Sequence, residues 1–190
     1  MLRSIKYLAA LSVLLATAAA EAQQKLTVLL DWHVNPDHGP LYVALERGYY
    51  KAAGLDVDLI APSDPNDPPR LVAAKKGDVA ISYQPQLHIQ ASKGLPLVRI
   101  GTLVATPLNT LVVLRDGPIK SIGDLKGKRI GYSVGGFEEA LLTAMLGKHG
   151  LALKDVTLVN VNFSLSPALM AGQVEAVIGA FRNFELNQMD

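Results

Sequence analysis

Residues 31 to 38 read Asp-Trp-His-Val-Asn-Pro-Asp-His, a crowd of ring, amide and acid side chains in one short span. Trp32 offers a large flat face for a ring, and His38 can donate or accept a hydrogen bond near it. A half-buried packing role competes for Trp32. His33 and His38 stand five apart across a proline with no Glu at ligand spacing, so no metal site is expected.

Three further clusters carry usable chemistry. In "YQPQLH", Tyr83 can stack its ring while its hydroxyl bonds, whereas Gln84 and Gln86 bracket Pro85 and can simply begin a helix. In "SVGGFEE", Gly135 and Gly136 let the backbone approach a ligand, and free N–H groups at a helix start favour a negative or electron-rich group. The string is neither a Walker nor a Rossmann fingerprint. Glu138 and Glu139 suit the first turn of a helix whether or not a ligand is present, and Glu138 alone is retained as a further candidate contact. In "RNFE", Glu185 can take two hydrogen bonds from a ring nitrogen and an exocyclic amine of an aminopyrimidine, or can be a solvated surface charge.

The elements that must position these residues follow from the pattern of apolar runs. Strand-like runs are expected at Leu26 to Leu30, Val57 to Ile60, Val79 to Ser82, Val98 to Val104, Thr110 to Leu114, Arg129 to Tyr132, Val156 to Asn160 and Ala176 to Gly179. Several are apolar throughout, as strands covered on both faces require. Helical spacing joins Leu41, Ala44, Leu45 and Tyr49, with a break at Gly48. "NDPPRLVAAKKGD" reads as a short helix with Asp67 as N-cap and a stop at Gly77. Phe137, Leu141 and Met145 form a stripe ended by Lys148, His149 and Gly150. Alternating strands and helices predict an α/β fold of mostly parallel sheets, in which ligands bind outside the carboxyl ends of the strands. Each cluster above follows such an end.

The whole chain sets outer bounds. Residues 1–22 carry Arg3 and Lys6 ahead of an apolar stretch and small residues, the pattern of a secretory signal peptide. A periplasmic location is expected, with no stable membrane insertion. There is no Cys, so neither disulfides nor a lipid-bearing cysteine are available. The 18 basic and 17 acidic side chains come into balance without Arg3, Lys6 and Glu21, which gives nucleic acid no reason to bind. Residues 23–108 are expected to form a first lobe, 109–118 a crossover, and 119–190 a second lobe. That second lobe would hold roughly 70 residues and three strands, few for an independent sheet domain, so the sequence is expected to be part of a longer protein.

"DWHVNPDHGPLYVALERGYYKAAGLDV", "GDVAISYQPQL", "DLKGKRIGYSVGGFEEALL" and "VEAVIGAFRNFE", in this order, resemble the periplasmic thiamine-pyrimidine-precursor-binding proteins of ABC transporters, which are related to the thiamine pyrimidine synthases. The resemblance spans residues 25 to 185. It implies a two-lobed type II periplasmic-binding-protein-like fold, a small-molecule aminopyrimidine as ligand, and an ABC permease with its ATPase as partners. No cofactor is implied. It also implies a ring stacked by Trp32 and Tyr83, with polar contacts from Asn35, His38, the Gly135-Gly136 turn and Glu185.

The related synthases of fungi bind pyridoxal phosphate through a lysine and consume a histidine four residues later. Counted from Asp78, those positions hold Ser82 and Gln86, which provide neither a Schiff base nor an imidazole. The expected function is therefore capture of a thiamine-precursor aminopyrimidine without bond making. Capture of a sulfonate, nitrate or riboflavin-type solute, with "SVGG" amides and Arg182 engaged, and pyridoxal-phosphate-dependent synthesis are the alternatives.

Overall fold

The computed structural model describes residues 23–189. The signal-peptide expectation for residues 1–22 lies outside them. Strand β1 (Gln24–Leu29) ends in buried Val28 and Leu29, and its backbone pairs in parallel with β2 (Leu55–Ile60) on one side and β3 (Val79–Ala80) on the other. Helix α1 (Gly39–Glu46) and the single turn α2 (Tyr49–Ala52) join β1 to β2. Gly48 stands between them at φ 70, so the expected break occurs where a residue without Cβ can take the left-handed conformation. Helix α3 (Pro68–Ala73) precedes β3, and α4 (Gln84–Ser92) follows it.

A second sheet has the order β4-β7-β5-β6. Its strands are β4 (Asn109–Val113), β5 (Arg129–Tyr132), β6 (Thr157–Asn160) and β7 (Ala176–Phe181). Only β4 runs antiparallel, against β7, with a bulge between Thr110 and Leu111. Helix α5 (Phe137–Gly147) connects β5 to β6, α6 (Leu165–Met170) connects β6 to β7, and α7 (Glu185–Met189) follows β7. Ala176 to Ala180 are buried without alternation because helices and loops cover both faces of this strand.

One core lies on each face of the second sheet. Leu125, Ile130, Leu142, Leu146, Ala176 and Ile178 make one, and Leu165, Leu169, Val174, Val177, Ala180 and Trp32 make the other. Trp32 comes from the loop after β1 of the first sheet, so its indole is shared property of both halves.

Three expectations need correction. Val98 to Val104 form no strand; Val98 and Ile100 are exposed, because no neighbouring strand among the described residues lies alongside to take their backbone hydrogen bonds. Helix α3 ends at Ala73, where Lys75 adopts φ 58 and the Lys76 N–H closes back on the Leu71 carbonyl, so a lysine takes the place expected of Gly77. Asp67 stands at the N-cap but its side chain makes no capping bond. On α5 the buried face runs through Phe137, Glu138, Leu142 and Leu146, while Leu141 and Met145 edge an apolar groove beside Leu111 and Ile178.

Candidate functional site

The carboxyl ends of β1, β3, β5 and β7 converge on one cavity between the two sheets. Trp32, Asn35, Tyr83, Glu138, Leu165, Gly179, Phe181, Phe184 and Glu185 line it. Five residues singled out from the sequence, Trp32, Asn35, Tyr83, Glu138 and Glu185, therefore meet here. His38, Gly135 and Gly136 are not among the lining residues.

The loop after β1 is built around its own polar groups. The Asn35 side-chain oxygen accepts the Asp37 N–H at 2.9 Å, its amide nitrogen donates to the His33 carbonyl at 3.0 Å, and the Asn35 N–H donates to His38 Nδ1 at 3.3 Å. A His38 tautomer with its proton on Nε2 satisfies this and lets Nε2 donate to Asp31 Oδ1 at 2.8 Å. His38 is 1% exposed, so it orients Asp31 from beneath the cavity. The other Asp31 oxygen accepts the Tyr83 hydroxyl at 2.8 Å. Burial first, and the Asp31 charge second, push the Tyr83 phenol well above its ordinary range, so it acts as a fixed donor. Asp31 was not singled out from the sequence. The signal for it was the abrupt stop of an apolar strand at a carboxylate.

Aromatic packing holds the halves together around this network. Tyr83 lies on Phe137 with centroids 4.9 Å apart and planes 18° from parallel, and Phe181 meets Tyr83 edge-on at 5.9 Å. Trp32 is 8% exposed and meets Phe163 edge-on at 4.8 Å. Rings in contact need about 3.5–4.0 Å between faces, so a third ring cannot slide between Tyr83 and Phe137 without parting them.

The two acids opening α5 divide their roles. Glu139 accepts the Gly136 N–H at 3.0 Å and caps its own helix. Glu138 turns inward, is 2% exposed, and accepts the Ser133 N–H at 2.7 Å. Burial raises its carboxyl to about 8, with the Glu185 charge pushing the same way and the Ser133 N–H pulling back. Gly179, at φ 101, makes room for it: a Cβ there would stand 2.2 Å from Glu138 Oε1. Glu185 accepts the Phe181 N–H at 2.7 Å, and burial, then Asp37 and Asp31, raise its carboxyl. Asp37 Oδ1 accepts from Asn183 at 2.6 Å while its Oδ2 is buried with no partner among the described residues. No Lys or Arg lines the cavity among the described residues. Arg182 turns away to the Pro107 carbonyl and the Thr106 hydroxyl.

The glycine turn is engaged by the other half of the molecule. Asn66, from the β2–α3 loop, accepts the Gly135 N–H at 2.9 Å and donates to the Ser133 carbonyl at 3.2 Å. Among the described residues no His, Asp and Glu cluster is disposed to hold a metal, and no helix is long and apolar enough to cross a membrane.

Two mostly parallel sheets with a ring-lined cavity at their strand ends define a type II periplasmic-binding-protein-like α/β fold. An alkanesulfonate-binding protein from Xanthomonas axonopodis pv. citri superposes with a TM-score of 0.66 at 20% identity, over 87% of this chain and 56% of that one. The chain belongs to the family described as NMT1/THI5 like, whose model matches residues 35–190. It is 55% identical to a Haemophilus influenzae protein named for thiamine biosynthesis, over 97% of this chain and 59% of that protein. It is 38% identical to the formylaminopyrimidine-binding protein of Halalkalibacterium halodurans, over 87% of this chain and 50% of the relative. A 4-amino-5-hydroxymethyl-2-methylpyrimidine phosphate synthase of Schizosaccharomyces pombe is 34% identical over 82% of this chain and 44% of its own length. The chain thus spans about half the length of the curated relatives it matches.

Proposed function

We propose that this protein is a solute-binding component of an ABC importer that captures in the periplasm a thiamine-related aminopyrimidine, of formylaminopyrimidine or hydroxymethylpyrimidine type, and presents it to a membrane permease that works with an ATPase. The solute is released chemically unchanged. The observation that carries the proposal is the cavity lining, in which Trp32, Tyr83, Phe181 and Phe184 surround two carboxyl groups, Glu138 and Glu185, with no cation among them. Aromatic walls suit a flat ring, and acceptors without a countercharge suit a ligand that brings N–H donors. The ring would take its place as Tyr83 and Phe137 part, with Trp32 and Tyr83 as stacking faces. Glu185 would accept a hydrogen bond from the exocyclic amine. The name of the 38% identical relative supports the ligand class.

The oxyanion and Schiff-base rivals ask for features found elsewhere or already occupied. A sulfonate or nitrate needs a cation and free amides, whereas Arg182 faces Thr106 and Pro107 and the Gly135 N–H bonds Asn66. A Schiff-base synthase needs an amine where Ser82 instead bonds Gln86 at 2.7 Å. The test is calorimetric titration of the protein, purified from its native gene, with formylaminopyrimidine, hydroxymethylpyrimidine and an alkanesulfonate, plus an absorbance scan with pyridoxal phosphate. Pyrimidine binding alone is the expected result. Sulfonate binding without pyrimidine binding, or a cofactor absorbance band, overturns the proposal.

A further inference from the structure

Glu138 is a buried carboxyl with no cation beside it among the lining residues, an expensive group to keep even though it satisfies the buried Ser133 N–H. The Ser133 N–H holds one of its oxygens, and the missing Cβ of Gly179 leaves space for the other. It lines the cavity together with Glu185 and Tyr83. The ionisable groups facing it from every side are acids or a phenol: Glu185 beyond β7, Glu139 on its own helix, Tyr83 before α4, and Asp31 behind that phenol. Asp37 adds a further acid beside Glu185. Two carboxylates in one water-poor cavity repel, and the structure provides no Lys or Arg among the lining residues to hold both charges.

We propose that Glu138 is a specificity residue that gives its proton to a basic ring nitrogen of the bound heterocycle, so that the cavity holds an aminopyrimidine as its ring-protonated cation and discriminates against flat rings lacking such a nitrogen. The inference rests on the aminopyrimidine reading above and deepens it. In the transfer the carboxyl O–H bond breaks and a ring N–H bond forms, leaving a carboxylate and a pyrimidinium in contact. No proton is exchanged with solvent while Glu138 is protonated in the free protein. Because burial holds that carboxyl at about 8, the proton must come from water above this pH.

The experiment is titration calorimetry of the protein with hydroxymethylpyrimidine from pH 7 to 10, in two buffers of different ionisation enthalpy, and with the benzenoid analogue of that ligand. The expected result is a Kd that is level near pH 7 and rises roughly tenfold per unit above about pH 8, with one proton taken up per ligand bound. Glu138→Gln should give a level Kd over the range, raised at least about tenfold at pH 7, and should bind the pyrimidine and its benzenoid analogue with similar affinity. A wild-type Kd independent of pH, with pyrimidine binding intact, overturns the role of Glu138 and leaves the aminopyrimidine reading standing. Absence of pyrimidine binding at every pH overturns both. The wild-type proton count decides the matter even if the variant does not fold.

Discussion

Tyr83 is held at both ends: its hydroxyl donates to Asp31 within its own half of the molecule, while its ring lies face to face with Phe137 of the other half. Losing the hydroxyl therefore leaves a buried Asp31 oxygen unpaired without removing the stack. Tyr83→Phe is expected to lower stability by about 1–3 kcal/mol, the cost of an unsatisfied buried acceptor. Urea denaturation measures it, and an unchanged midpoint would show that water reaches Asp31.

Trp32→Ala should remove both ligand affinity and core. The indole is nearly buried among Phe163, Leu165 and Val177, so truncation is expected to cost about 3–5 kcal/mol. Trp32→Phe separates the effects, keeping most of the packing and a smaller stacking face. Full pyrimidine affinity in that folded variant would argue against indole stacking.

Gly179→Ala meets two obstacles, a positive φ and the Glu138 carboxyl. We expect a loss of more than about 2 kcal/mol. Combining it with Glu138→Ala should recover part of the loss, because the clash is relieved while the backbone strain remains. A thermal melt of the single and double variants tests this.

Asn66→Ala should weaken the hold of the first half on the glycine turn. Two hydrogen bonds are lost, worth about 1 kcal/mol each, so ligand release is expected to quicken by up to about thirtyfold. Stopped-flow displacement reads it directly, with an unchanged off-rate counting against a clasp role.

Stability should depend on pH through Glu138. Its folded carboxyl titrates at about 8 against an ordinary 4.5, so between these values the native state holds a proton that the unfolded chain has released. Stability then falls as pH rises through that window, and the decline is complete above about 8. Glu185, also raised, acts in the same direction. Glu138→Gln should flatten the slope and be more stable at pH 8 by about 4 kcal/mol. Denaturant midpoints at pH 5, 6.5 and 8 provide the measurement.

The strands around the cavity were legible because a both-sides-covered strand must be apolar throughout, as Ala176 to Ala180 are. Val98 to Val104 are also rich in β-branched residues, though Arg99 and Thr102 interrupt the apolar run, yet a strand needs a neighbour, and nothing local reports whether one exists. Trp32, Asn35, Tyr83 and Glu185 could be placed at strand ends from spacing alone. Asp31 could not be assigned, since its partner Tyr83 lies 52 residues away. Glu138 shares the i, i+4, i+8 spacing of buried Leu142 and Leu146 and so turns inward, where Gly179 leaves room for its carboxyl, whereas Glu139 caps the helix start. The ligand contact of His38 is implied by the family resemblance, whereas the turn through Pro36 points its ring back at Asp31.

The indole of Trp32 leaves one half of the chain and is seated in the greasy interior of the other. Any swing that widens the cleft must drag this ring into water, so the gap between the halves should have the thermal fingerprint of wetted hydrocarbon: an increase in heat capacity and a resistance that fades on cooling. Ligand exchange would then be easier in the cold than simple activation would suggest, with a single tryptophan acting as the thermostat.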